Sequence, residues 1–337
     1  MVYIPQKMKP FLLVFSLLHR SGCRIKNWLY KRKIFKPKRA PLPVISVGNI
    51  TFGGSGKTPL VLHLLTFLLH KGYKPALITR GYRGKWEKSG GILSDGKSVL
   101  STWQDSGDEA YMVASNLPQA GVFIGKNRLF SCQDAEASGF DVAVLDDGFQ
   151  HARLRRDMDI VLYDSKEKGS LRESVSSLGR AEIILLERGL HSQERESLQK
   201  SFPQSTIFEY SVESQGFFKA GKKEGESGEE FQGKRIIAFC GIARPGRFLA
   251  LLQKESINPV DFLKFSDHYS YPLHSLEKIS KKFKKLNADA LITTEKDMVK
   301  IAQSDAFQGI PVYYLKIDLK LDDEFYSMLS SFLQKMT

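Results

Sequence analysis

Six residues, from Gly53 to Thr58, hold three glycines, a lysine and two hydroxyl side chains that together could bind phosphate. Glycines at 53, 54 and 56 let backbone N–H groups turn inward around an anion. Lys57 at that spacing reaches the outer phosphates of a nucleotide, and the Thr58 hydroxyl reaches its Mg²⁺. Asn49, Thr51 and Ser55 complete the candidate nucleotide-binding set. The usual phosphate-loop pattern opens with Gly where this chain has Thr51, so the loop relies on Gly53 and Gly54 instead.

A second group is the acid pair Asp146-Asp147, which closes the apolar run from Val142 to Leu145. An acid pair at a strand end, downstream of a phosphate loop, serves Mg²⁺ or its water, so Thr58, Asp146 and Asp147 are the expected metal ligands. Asp108 and Glu109 open a further apolar run. Two readings stand for them: a site residue, or acids that complement a helix dipole. Tyr82, Arg128, Gln150, His151 and Arg172 fall on loops expected to follow strand ends, the edge where ligands bind in open α/β sheets. For Arg128 a solvated helix start is the plain alternative.

These residues need elements to place them. Val44, Ile45 and Val47 form a short β-branched run before the glycines, and residues 60–69 are an apolar helix-length run after them. That is strand, loop and helix, with the helix dipole facing the phosphate. Further strands are expected over 75–80, 122–125, 141–146, 159–163, 182–187, 236–240, 261–265, 290–294 and 312–315, with helices between them. The alternation predicts a doubly wound, mostly parallel α/β sheet of the P-loop NTPase kind, with a smaller C-terminal α/β lobe. We expect a core over 41–212 and a polar linker or flexible hairpin over 213–234. A lobe over 235–337 would close over the site.

Charge is unevenly spread. The chain of 337 residues has 50 Lys+Arg against 37 Asp+Glu, and 17 of the basic residues lie in the first 86, which hold no acid. Such asymmetry points to an anionic surface. Within residues 1–40 the run from Phe11 to Leu18 is too short to span a bilayer, and basic residues with Trp28 and Tyr30 surround it. We expect a helix lying on an anionic membrane. A core-packed helix with a solvated basic linker is the alternative, and a nucleic-acid partner is not expected, because the apolar run would have no role there. Cys23, Cys132 and Cys240 show no disulfide or zinc spacing. Thr294-Glu295-Lys296-Asp297 misses the guanine-reading pattern by one place, which favours ATP.

Taken together, the motifs V-G-N-I-T-F-G-G-S-G-K-T-P (47–59), T-R-G-Y (79–82), G-D-E-A (107–110), N-R (127–128), L-D-D-G-F-Q-H (145–151), L-R-E (171–173), D-H-Y (267–269) and T-E-K-D-M-V-K (294–300) resemble the tetraacyldisaccharide 4′-kinase family. They stand in the family's order along residues 1–330. Ala110 and Tyr269 depart from its common Pro and His. The resemblance implies transfer of the ATP γ-phosphate to the 4′-hydroxyl of a tetraacylated glucosamine disaccharide 1-phosphate, in lipid A synthesis. It implies Asp108 as catalytic base, with His268 as its partner and Lys57 and Arg172 on the transferring group. Read from the residues alone, His268 is a loop histidine. The resemblance further implies a monomer at the cytoplasmic face of the inner membrane. Two rival classes are a membrane-docked ATPase switch and a basic nucleic-acid-binding module.

Overall fold

Strands and helices intersperse from the first described strand: β1 (Val44–Asn49), α1 (Lys57–His70), β2 (Pro75–Thr79), β3 (Gly91–Asp95), α2 (Asp108–Asn116), β4 (Gly121–Ile124), α3 (Arg128–Ala137), β5 (Val142–Asp146), β6 (Met158–Tyr163), β7 (Ile183–Glu187) and α4 (Ser192–Ser201). The remainder is β8 (Thr206–Phe218), β9 (Gly225–Glu226), β10 (Ile236–Cys240), α5 (Pro245–Lys254), β11 (Asp261–Lys264), α6 (Leu273–Lys285), β12 (Ala290–Thr294), α7 (Glu295–Ile301), β13 (Val312–Leu321) and α8 (Asp323–Gln334). This computed structural model describes residues 32, 34–51, 54, 56–164, 171–189, 192–222 and 224–335. Most of the expected membrane segment, Cys23, and Gly53 and Ser55 of the glycine loop lie outside the described residues.

One mixed sheet runs through the molecule in the order β11-β10-β12-β13-β8-β7-β6-β1-β5-β2-β4-β3, with β9 added to β8. Pairing is parallel except at β13–β8, β3–β4 and β8–β9. Parallel strands need both faces covered, and β1 shows it: all six of its residues are buried. Helix α1 covers one face. Gly56, at φ 84°, makes the left-handed turn into it; Pro59 is tolerated because the first turn has no N–H partner to lose. Leu60, Leu64, Leu65 and Leu68 then lie on one side at helical spacing, each 0% exposed. They pack with Ile45, Val47, Leu77 and Val144 in the main core. Cys132 and Cys240 are buried, and burial pushes both thiols up to about 12, so they pack as small apolar groups.

The two halves of the sheet meet at β8 and β13, a long antiparallel pair with a register shift at Lys316/Ile317. Of the two expectations for 213–234, polar linker or hairpin, the structure has strand and hairpin. Residues 213–218 continue β8, and Gly225–Glu226 fold back onto it. The polar side chains of Glu213, Ser214 and Gln215 hid the strand, because β8 gains its order from backbone bonds to β7 on one side and to β13 on the other. Beyond β13 a second core, Phe217, Phe231, Ile236, Phe248 and Leu315 among it, serves the C-terminal lobe. The loops after β1 and β5 thereby face the loops after β10, β11 and β12 across a cleft.

Candidate active site

The cleft between the lobes encloses about 1310 Å³, more than one small ligand needs. Gly54, Gly56, Lys57 and Thr58 line it at the α1 start, and Asp146, Asp147, Gln150 and His151 line it after β5. Tyr82, Asp108, Glu109, Arg128, Arg172 and His268 complete the expected set. Asn49 and Thr51 lie elsewhere. Both are 0% exposed beneath the turn, where the Asn49 carbonyl accepts from Gln150 Nε2 at 2.7 Å and Thr51 bridges to Leu171. They shape the turn from below.

Positive charge gathers on Asp147. Lys57 Nζ stands 3.3 Å from its Oδ1, and Arg172 Nη1 donates to both its oxygens at 3.1 and 2.9 Å. Burial would raise the Asp147 carboxyl, but these two cations outweigh it and hold it below its ordinary value. Its backbone sits at φ 50°, a left-handed conformation that Asp tolerates better than most residues. The neighbouring Asp146 is the opposite case. Burial, then the negative charges of Glu109 and Asp147, push its carboxyl up to about 6. Thr79 Oγ1 donates to its Oδ2 at 3.1 Å, while its Oδ1 is buried with no hydrogen-bond partner among the described residues. A hard dication satisfies these demands: an idle carboxylate oxygen, surplus negative charge, and the Thr58 hydroxyl on the same cleft. The acid-pair residues therefore fit Mg²⁺. Arg128 is 6% exposed and donates to the Gly125 carbonyl. Burial pushes its guanidinium down, with Asp146 and Asp147 pulling the other way.

Asp108 starts α2 and meets His268, which follows β11 in the other lobe. His268 Nδ1 lies 3.0 Å from each Asp108 oxygen. On the far side of the ring, Lys296 Nζ is 3.2 Å from Nε2. An ammonium can only donate, so Nε2 accepts and the ring proton sits on Nδ1, donating to Asp108. The histidine backbone is held at φ 56°. Arg83 Nη1 fixes that loop by donating to the Asp267 and His268 carbonyls at 3.0 and 3.3 Å. The Tyr82 ring meets His268 edge-on at 5.2 Å. Burial opposes the Asp108 charge, yet the His268 hydrogen bond and the charges of Lys296 and Lys300 hold its carboxyl down at about 2. The acceptor groups of Asp108, Glu109 and His268 lie within 4.8 Å of one another, a spacing that could suit a metal. Lysines already supply the cations there: Lys296 bonds Glu109 at 2.8 Å and Lys300 stands 3.5 Å from Asp108.

Lys296, Asp297 and Lys300 of α7 are the site neighbours that residue-by-residue reading gave no role. Lysines at i and i+4 on a short helix ordinarily mark a solvated face; here Met298 and Ile301 turn that helix into the core, and Lys300 is 1% exposed.

A family model described as tetraacyldisaccharide-1-P 4′-kinase (LpxK) matches residues 8–334. The chain is 38% identical over 331 residues to the tetraacyldisaccharide 4′-kinase of Desulfotalea psychrophila, covering 93% of each. To that of Syntrophus aciditrophicus it is 36% identical over 339 residues, covering 93% of this chain and 90% of the other. Its fold matches the crystal structure of LpxK from Aquifex aeolicus in complex with ATP at a TM-score of 0.77 and 30% identity, over 98% of this chain and 99% of that one. A glycine turn, an acid pair whose chemistry suits a dication and a carboxylate–imidazole pair share one cleft, and with these matches the chain belongs to the tetraacyldisaccharide 4′-kinase family.

Proposed function

We propose that the chain transfers the γ-phosphate of ATP to the 4′-hydroxyl of tetraacyldisaccharide 1-phosphate, with Asp108 as the base. The observation that carries this reading is the Asp108–His268 pair, at 3.0 Å, on the same cleft as Lys57 and the acid pair. In the step, the hydroxyl proton passes to an Asp108 oxygen as the hydroxyl oxygen bonds the γ-phosphorus, and the bridging bond to the β-phosphate breaks to release ADP. His268 keeps the carboxylate aimed by donating from Nδ1. Lys57 and Arg172 leave Asp147 for the phosphates and spread the charge that builds on the transferring group. Asp146, Asp147 and Thr58 would hold Mg²⁺, which when bound neutralises phosphate charge. Tyr82, Glu109, Arg128, Gln150 and His151 would contact the acceptor or the phosphates.

The same reading puts the protein on the cytoplasmic face of the inner membrane as a monomer, since an acylated acceptor stays in the bilayer. No described helix is long and apolar enough to cross a membrane; docking would be peripheral or shallowly anchored, through the basic N-terminal segment.

Phosphate transfer from ATP to the disaccharide lipid in detergent tests the reading, in wild type and Asp108→Asn. Lipid-dependent transfer should fall about a thousandfold in the variant. ATP hydrolysis indifferent to lipid, with the variant as fast as wild type, would replace the kinase with an ATPase switch.

A further inference from the structure

Lys300 keeps an ammonium at 1% side-chain exposure, a place where an unpaired charge is not sustained. Two acids share it. Asp108 Oδ2 is 3.5 Å away on the cleft side, and Asp297 Oδ1 is 2.8 Å away on the interior side. Asp297 is 0% exposed and is itself anchored. It accepts the Gly241 N–H at 2.8 Å and the Thr294 hydroxyl at 2.7 Å. Gly241 opens the loop that leads to α5, and that loop lies beside the phosphate-binding turn: a methyl group placed on Gly54 would stand 3.5 Å from the Ala243 Cβ, an ordinary contact distance. The Tyr271 ring closes the other side of the ammonium at 5.3 Å.

We propose that Lys300 is a positioning residue: its buried ammonium holds the Asp108 carboxylate against His268 and ties it, through Asp297 and the Gly241 amide, to the loop facing the phosphate-binding turn. The inference rests on the reading of Asp108 as the base. The groups that face Asp108 are few and each has a separate place. His268 comes from the loop after β11, with Asp267 Oδ2 3.9 Å behind its Nε2. Lys296, from α7, is bound to Glu109 and to that same Nε2. Glu109 follows Asp108 on α2, its backbone N–H donating to Asp108 Oδ1 at 2.9 Å. Lys300 alone among these bridges Asp108 to the interior, and it does so without lining the cleft. Removing its charge leaves two buried carboxylates with no shared cation, so Asp108 takes up a proton at higher pH. Lys300 does not itself line the cleft where ATP would bind, so ATP affinity should change little.

The test is the pH profile of kcat for lipid phosphorylation in wild type, Lys300→Met, Lys300→Arg and Asp108→Asn, the last also combined with Lys300→Met and followed by single turnover. Lys300→Met should lower kcat about tenfold and move the acid limb up by about one pH unit, with KM for ATP within about twofold. Lys300→Arg should return the limb toward wild type. In the Asp108→Asn background the methionine should cost nothing more, because the residue through which Lys300 acts is gone. An unmoved acid limb, or an equal loss in both backgrounds, would reduce Lys300 to a structural residue and overturn the proposal. Wild-type turnover in Asp108→Asn alone would instead sink the base reading. Should Lys300→Met fail to fold, Asp297→Asn decides the matter. It leaves the ammonium wholly to Asp108, so the acid limb should move down; an upward shift or none overturns the proposal.

Discussion

Asp108 is an ion among ions, and that gives its stability a sign. Burial alone would favour the neutral acid, but His268, Lys296 and Lys300 hold the carboxyl at about 2, below its ordinary 3.8. A depressed carboxyl stabilises the fold at pH above its unfolded value and loses that contribution as pH falls through its folded value. The difference amounts to about 2 kcal/mol for this 6%-exposed side chain. Wild type should therefore melt above Asp108→Asn by a constant margin from about pH 7 to 5, and the margin should shrink between about pH 4 and 2. A margin undiminished at about pH 2.5 would mean that the ion pairs are not its source. Much of this site was legible as residue types. The glycine loop, the acid pair and Asp108 each carry their chemistry in sequence spacing. His268 was not legible that way, since a loop histidine becomes a partner only when β11 brings it 3.0 Å from α2. Lys300 was hidden for the same reason. Its spacing is that of a solvated face, and only the docking of α7 beside α2 buries it.

At the scale of elements, the start of α2 decides where the base points. Gly107 precedes Asp108 at φ 87°, and a Cβ there would fall 2.7 Å from the Tyr82 carbonyl oxygen. Both facts resist a side chain, so Gly107→Ala must shift the first turn of α2. We expect a loss of about 1–3 kcal/mol in stability and at least about tenfold in kcat, with KM for ATP little changed. Steady-state kinetics at varied ATP check it; a raised KM with kcat intact would show that the strain is passed to the nucleotide side instead. Helix α1 offers the opposite case, where packing and not geometry is at stake. Leu64 is 0% exposed in the main core, and Leu64→Ala should cost about 3 kcal/mol in denaturant unfolding. Elements with period and apolar content, such as β1 and α1, were readable in advance. Strand β8 was not, and no strand was expected between 187 and 236. Its outer half is polar, and what makes it a strand is pairing with β13 about a hundred residues later in the chain.

The whole molecule divides its charge as it divides its work. Of 50 Lys+Arg, 17 fall in the first 86 residues without one acid, leaving the remainder slightly acidic at 33 against 37. The lobes themselves are joined by specific pairs that do not need that excess. Asp108 meets His268, Lys316 bonds Asn116 at 2.8 Å, and Arg244 bonds Asp164 at 2.8 Å. The basic excess of the first 86 residues is a property of the sequence that suits an anionic partner, and an anionic membrane is the surface an acylated acceptor would present. Each basic residue near such a surface contributes about 1 kcal/mol, screened within a Debye length of about 10 Å at 0.1 M salt. Sedimentation with vesicles rich in phosphatidylglycerol should pull the full chain down at low salt. Binding should weaken as sodium chloride rises and should fall away in a chain lacking residues 1–31. Phosphorylation of detergent-dispersed lipid should survive the truncation, because every candidate site residue lies at Asn49 or beyond. Equal vesicle binding by the truncated chain would move the docking surface onto the body of the enzyme.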